Sequence, residues 1–256
     1  MGMTGCKPLP TPMAVTPPLR KNASTPLSPE QATKYRQCCG SLQYITFTRP
    51  DLSFAVSKLT QYMHTPTELH LQALKRMLRY LKGTATSSLL LSKTNNFNLE
   101  AYVDADWAGS LDDRKSTGGY LIYLGCNLIG WSSKKQSTVA RSSTESEFKA
   151  VANTSVELQW LSKLIQELCL PAFHPPKIWC DNLGAVFISS NAAFRARTRH
   201  VEVDFHFVRE QVSSNQLKVH SISSNNQLAD ILTKPLPTQS FHLIRSKLRL
   251  LHRPSA

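Results

Sequence analysis

Apolar residues recur along this chain with two different periods, and the change from one to the other divides it. Residues 30–83 follow a helical period: Leu71, Leu74, Leu78 and Leu81 fall three or four apart and make one stripe. From about residue 86 short alternating runs take over. Leu99–Asp104, Gly119–Gly125 and Leu128–Ser132 read as strands, the last two joined by a tight hairpin at Cys126-Asn127. A long helix is predicted over 143–169, with Phe148, Val151, Ala152, Leu158, Leu161, Leu164, Ile165 and Leu168 on its core face. Lys177–Asp181 is a fourth strand, helices follow at 182–190 and 199–213, Leu217–Ser221 is a fifth strand, and 226–233 a short helix. This order predicts an α/β fold: a mixed five-stranded sheet flanked by helices and preceded by a small helical segment.

Turn residues set the boundaries. Residues 1–29 hold seven of the fifteen prolines and no periodicity, which predicts an extended, disordered leader. Ser28-Pro29-Glu30-Gln31 then has the form of a helix start, with Ser28 as cap and Pro29 in the first turn. Arg49-Pro50-Asp51 and His64-Thr65-Pro66-Thr67 break residues 30–83 into three helices, and Gly83 ends the third. The expected organisation is a Pro-rich leader (1–29), a helical segment (30–85), the α/β domain (86–235) and a C-terminal helical tail (236–256).

Composition narrows the class of function. No run approaches 18 apolar residues, so no membrane span is expected, and the N-terminus lacks a basic-then-apolar signal pattern. A cytoplasmic or nuclear protein is the plain expectation. None of the six cysteines form a C-x-x-C pair or complete a zinc spacing with histidine. The formal charge of +13 is unevenly spread: residues 31–98 carry nine Lys/Arg against two acids, whereas 99–256 carry eighteen against fourteen. Lys75, Arg76, Arg79 and Lys82 lie opposite the leucine stripe, giving a cationic helix face suited to a polyanion such as nucleic acid.

The acids carry the chemistry. Asp104 and Asp181 end apolar strands, Glu147 lies in the first turns of the long helix beside Glu145, and Asp230 sits in the last short helix. If the two strands are parallel neighbours, both aspartates reach one sheet edge, where the helices can deliver Glu147 and Asp230. Four carboxylates brought together repel one another, by roughly 4 kcal/mol for a pair at ~4 Å and an effective dielectric near 20. Cations are the natural reason for such a cluster. Two Mg²⁺ held by carboxylates, with Mn²⁺ as a substitute, can activate water and neutralise a phosphodiester, as in a ribonuclease H-type nuclease. Glu147 shares its helix face with Ala150 and Val151 and is the better ligand than Glu145. Lys134, Lys135 and Arg141 lie between a strand and this helix and are the candidates for phosphate contacts. His220 sits on the predicted last strand and receives no catalytic role.

These motifs resemble the C-terminal part of the Pol polyprotein of copia-type LTR retrotransposons of plants. The resemblance runs through Thr48-Arg49-Pro50-Asp51, Leu78-Arg79-Tyr80-Leu81-Lys82-Gly83-Thr84, Asp104-Ala105-Asp106-Trp107-Ala108-Gly109 and Asp113–Tyr120. It continues through Trp131–Gln136, Ser142–Phe148, Cys180-Asp181-Asn182, Arg197–Glu202 and Gln227–Leu236. It implies a ribonuclease H-like domain that cuts the RNA strand of RNA–DNA hybrids, with Asp104, Glu147, Asp181 and Asp230 as metal-binding catalytic acids. It further implies that 30–85 is the reverse transcriptase tail, and that the rest of the Pol polyprotein is a partner. The polymerase signature Tyr-x-Asp-Asp is absent. A truncated Pol fragment without polymerase activity is therefore expected, and a catalytically inert nucleic-acid-binding remnant is the alternative. A DDE-type integrase is disfavoured by the Asp-Glu-Asp-Asp order and the closing Gln-Leu-Ala-Asp.

Overall fold

The computed structural model describes residues 3, 5–22, 24–172, 174–191 and 199–252, without the side chains of 199–202 and 252. Its elements in chain order are α1 (Pro29–Ile45), α2 (Ser53–Thr60), α3 (Glu68–Gly83), β1 (Ser87–Leu89), β2 (Leu99–Asp106), β3 (Thr117–Leu124) and β4 (Asn127–Lys135). They continue with α4 (Ser143–Glu167), β5 (Lys177–Cys180), α5 (Leu183–Ser190), α6 (Arg199–Ser213), β6 (Lys218–Ser221), α7 (Asp230–Thr233), α8 (Thr238–Lys247) and β7 (Leu250–His252). Two compact units result, one of residues 1–90 with 234–256 and one of 91–233. No described helix is long and apolar enough to cross a membrane.

In the first unit, α1 begins as its sequence requires. Ser28 Oγ accepts from the Gln31 amide, and Gln31 Oε1 accepts from the Ser28 amide, closing a capping box. The buried face of α3 is His70, Leu71, Leu74, Met77 and Tyr80 rather than the leucine stripe through Leu78 and Leu81. Two polar residues shift it. His70 caps the helix through Thr67 and stacks on Tyr62 at 4.1 Å. The Tyr80 hydroxyl donates to the buried carboxylate of Asp51. Asp51 also takes a bidentate pair from Arg49 at 2.9 and 2.8 Å and a bond from Arg245 of α8 at 3.3 Å, and Arg49 reaches the Thr84 carbonyl at 2.8 Å. The Thr-Arg-Pro-Asp motif is thus the centre of a buried polar network.

The expected disordered leader is instead laid along α3. Arg76 donates to Thr11 Oγ1, Arg79 to the Lys7 carbonyl and Lys82 to the Cys6 carbonyl, while Met13 and Leu19 are buried. Three of the four α3 cations assigned to nucleic acid therefore hold the leader, and Lys75 stays exposed. The tail is not only helical: β7 pairs antiparallel with β1, which places residues 86–90 and the tail in the first unit.

In the second unit the sheet order is β4-β3-β2-β5-β6. β2, β3 and β4 are antiparallel neighbours, whereas β2–β5 and β5–β6 are parallel. This is the expected mixed five-stranded sheet, flanked by helices. Alternation along β2 gives each face its role. Leu99, Ala101, Val103 and Ala105 enter a core with Phe148, Val151 and Leu158 of α4, where Phe148 stacks on Phe205 of α6 at 4.3 Å. Asp104 points to the other face, where α7 docks.

Candidate active site

The register of the central pair brings two acid-bearing strand ends together. Val103 stands opposite Cys180 in the parallel β2–β5 ladder, so Asp104 and Asp181 are the next residues on adjacent strands. The first turns of α4 deliver Glu147 to the same edge. Helix α4 starts at the Ser142 cap, whose hydroxyl accepts from the Glu145 amide at 3.1 Å. The start of α4 meets that of α5: Thr144 Oγ1 lies 3.4 Å from Asn182 Oδ1, which itself caps α5 through the Ala185 amide at 3.0 Å. Gly184 permits the approach, because a Cβ there would come 2.9 Å from Thr144 Oγ1.

Ligand atoms of Glu147, Cys180 and Asp181 all lie within 4.8 Å of one another. Glu147 is 6% and Asp104 2% exposed, and Asp181 is half-buried. The Cys180 thiol, pointing at Glu147 Oε2 over 3.8 Å, reports the field of the site. Burial first, and then the charges of Glu147, Asp181 and Asp104, push it far above the ordinary thiol range, so it stays protonated. All three carboxylates act on one sulfur atom. Hard oxygen donors in partly buried, mutually repelling positions fit a divalent metal ion.

Asp230 opens α7 and stands outside that three-residue group. Its helix is nevertheless joined to the acids, since the Thr233 hydroxyl donates to the Asp104 carboxylate. Ser133 Oγ donates to the Leu232 carbonyl at 2.6 Å. Gly119, opposite Asp104 on β3, makes room, because a Cβ there would lie 2.8 Å from that of Leu232. Glu145 is engaged elsewhere. It accepts from the Arg141 amide at 2.8 Å and pairs with Lys149 at 2.7 Å. Burial opposes its ionisation, but these partners outweigh burial and lower its pKa.

The cations assigned to phosphate sit differently. Lys134 and Arg141 are exposed, while Lys135 is paired with Asp113 at 2.8 Å. Lys134 and Lys135 line a cleft of about 430 Å³ with Asn153 and Glu157 of α4, and none of the four acids lines it. Arg197 and Thr198 of the Arg197–Glu202 motif lie outside the described residues. Sequence reasoning passed over Gln227, Thr233 and Cys180. The first two lie inside the Gln227–Leu236 motif, where only Asp230 was given a role, and Cys180 occupies the inward phase of β5 after Ile178.

No family model matches the chain. It is 51% identical over 252 residues, 98% of its length, to the retrovirus-related Pol polyprotein from transposon RE1 of Arabidopsis thaliana, of which it covers 17%. It is 38% identical over 250 residues, 95% of its length, to the Pol polyprotein from transposon TNT 1-94 of Nicotiana tabacum, of which it covers 18%. The chain thus spans about a sixth of the length of these curated relatives. Among solved structures, LC11-RNase H1 isolated from compost aligns with 54% of this chain and 93% of its own, at 13% identity and a TM-score of 0.42. With half its residues shared with RE1 across nearly its whole length, the chain belongs to the family of copia-type LTR-retrotransposon Pol polyproteins.

Proposed function

We propose that residues 91–233 form a divalent-metal-dependent ribonuclease H that hydrolyses the RNA strand of an RNA–DNA hybrid. Residues 30–85 are, on this reading, the tail of the reverse transcriptase. The observation that carries it is the meeting of Glu147 and Asp181 at the end of a parallel strand pair whose other strand bears Asp104. Buried like charges at one edge have no structural benefit, and their donor set suits two hard cations.

When bound, two Mg²⁺ supply water activation and charge neutralisation at the scissile phosphate. Asp104, Glu147 and Asp181 would hold them, with Asp230 completing the set from α7. Each acid stands on or next to a rigid element, which fixes the donors before substrate arrives. The Thr233 hydroxyl keeps one Asp104 oxygen oriented. Lys134 and Arg141, both exposed, would contact phosphates and position the duplex without reading its sequence. An A-like hybrid would be recognised by groove shape and 2′-hydroxyls. Lys75 and Lys82 are the exposed cations of α3, and Lys75, which does not hold the leader, is the one assigned to backbone contact.

The test is cleavage of a hybrid labelled on either strand, in Mg²⁺, with Asp181→Asn and EDTA as controls. The reading expects fragments of the RNA strand alone, abolished by both controls. Cutting that survives either control, or cutting of the DNA strand, would overturn it, as would a folded wild type that leaves the hybrid intact.

A further inference from the structure

We infer that Gln227 is a positioning residue that ties the Asp230 segment to the two strand ends carrying Asp104 and Asp181, and so sets the affinity of the site for its metal. The inference deepens the nuclease reading above and rests on it.

Gln227 is 1% exposed, between the single turn at Ser224–Asn226 and α7. A primary amide buried in a connecting segment is costly unless its donors and acceptor are used. Here Nε2 donates to the Val103 carbonyl at 2.8 Å and reaches the Trp179 carbonyl at 3.4 Å, while Oε1 accepts from the Ala229 amide at 3.2 Å. Each partner lies beside an acid in sequence. Val103 precedes Asp104, Trp179 is two residues before Asp181, and Ala229 precedes Asp230.

The geometry explains why a side chain is needed there. The β2–β5 ladder ends at Val103 opposite Cys180, so the backbone rungs stop where the acids begin. One amide nitrogen that reaches a carbonyl from each strand adds a cross-link at the end of the ladder. It fixes the spacing of the strand ends and therefore of Asp104 and Asp181. The same amide's oxygen fixes the chain just before Asp230. Helix α7 is four residues long and too short to be stable alone. Its far end is held by Ser133 on the Leu232 carbonyl and by Thr233 on Asp104; Gln227 is the anchor at its near end. One side chain thus links three of the four acid-bearing segments.

Groups hydrogen-bonded to metal ligands typically change metal affinity 10–100-fold when lost, and Gln227, acting through the backbone beside the acids, is expected at the lower end of that range. The test compares wild-type chain with Gln227→Met, which keeps length and volume but cannot bridge the carbonyls. The readouts are the Mn²⁺ dissociation constant by calorimetry, and the Mg²⁺ dependence and KM of hybrid cleavage. The expected result is a rise of about tenfold or more in the Mn²⁺ dissociation constant and in half-saturating Mg²⁺, with KM for the hybrid unchanged. A purely structural role would lower thermal stability and leave the metal dependence alone; a Mn²⁺ constant within about twofold of wild type overturns the inference while the nuclease reading stands. If Gln227→Met does not fold, Gln227→Asn carries the same comparison, since its amide is one methylene too short to span both strands. A wild type that neither binds Mn²⁺ nor cuts overturns both readings. A wild type that binds without cutting removes the nuclease reading, and the ratio of Mn²⁺ constants still decides the role of Gln227.

Discussion

Asp181→Asn should reverse its effect on stability when the metal is added. Without cations, Asp181 faces Glu147 with ligand atoms no more than 4.8 Å apart. Two unit charges at that distance repel by ~3.5 kcal/mol at an effective dielectric of 20. Asp181 is only half-buried, so counterions and solvent reduce this to roughly 1–2 kcal/mol. Asparagine keeps the shape and removes the charge, and the variant should therefore be more stable than wild type in EDTA by about that amount. With Mg²⁺ at 100 times its dissociation constant, wild type gains about 2.7 kcal/mol by linkage. The variant, lacking a ligand, gains little, so the order of stabilities inverts. Urea unfolding followed by tryptophan fluorescence measures this in the relevant unit, because Trp107, Trp131, Trp160 and Trp179, the four tryptophans of the chain, all lie within 91–233. An Asp181→Asn protein less stable than wild type in EDTA, or stabilised equally by Mg²⁺, would refute the argument that these carboxylates form a repelling, metal-binding set.

Two further outcomes follow from the charges. Asp51→Ala strips a 1% exposed carboxylate from Arg49, Arg245 and Tyr80 and should cost about 3–5 kcal/mol, because it leaves a buried guanidinium without its counter-charge. Hydrogen exchange should accelerate in α1–α3 of the variant, and protection there equal to wild type would contradict the assignment. Asp113 is pulled down to about 2: burial raises it, but hydrogen bonds from Lys135, Ser110 and the Lys115 amide outweigh that. A depressed carboxylate stabilises above its unfolded pKa, near 4, and loses that contribution as pH falls through about 2. The carboxylate is 40% exposed, so Asp113→Asn should cost less than ~1 kcal/mol at pH 7, a cost that shrinks below about pH 4 and vanishes below about pH 2, as measured by urea midpoints across pH.

The sheet and the acid order were legible in the sequence because each rests on local patterns. Alternation along Leu99–Asp104 separates the core-facing Val103 from Asp104, and the apolar run Ile178-Trp179-Cys180 carries Asp181 at the end of a parallel neighbour. The capping signal at Ser28 was equally local. What periodicity missed depends on partners distant in sequence. Tyr80 is buried because Asp51 receives its hydroxyl, and Met77 comes with it, while Leu78 and Leu81 are only partly buried. The leader has no period to read, and its order comes from Arg76, Arg79 and Lys82 reaching back to it. The strand pair β1–β7 joins two three-residue segments far apart in the sequence, too short to show alternation. Gln227 was visible in its motif, but its use appears only when Val103 and Trp179 are brought to the same place.

Glu145 and Glu147 give the most direct test of the central claim, since they are two residues apart on one helix and the structure gives them opposite surroundings. Glu147 lies buried against Cys180 and Asp181, whereas Glu145 is paired with Lys149 and the Arg141 amide. The measurement is the rate of RNA-strand cleavage in a labelled RNA–DNA hybrid, in Mg²⁺, by wild type, Glu147→Gln and Glu145→Gln. The account predicts loss of at least about 100-fold for Glu147→Gln, as expected when a donor in a preorganised site is removed, and a change of no more than a few-fold for Glu145→Gln. Equal losses in the two variants, or an active Glu147→Gln enzyme, would contradict it.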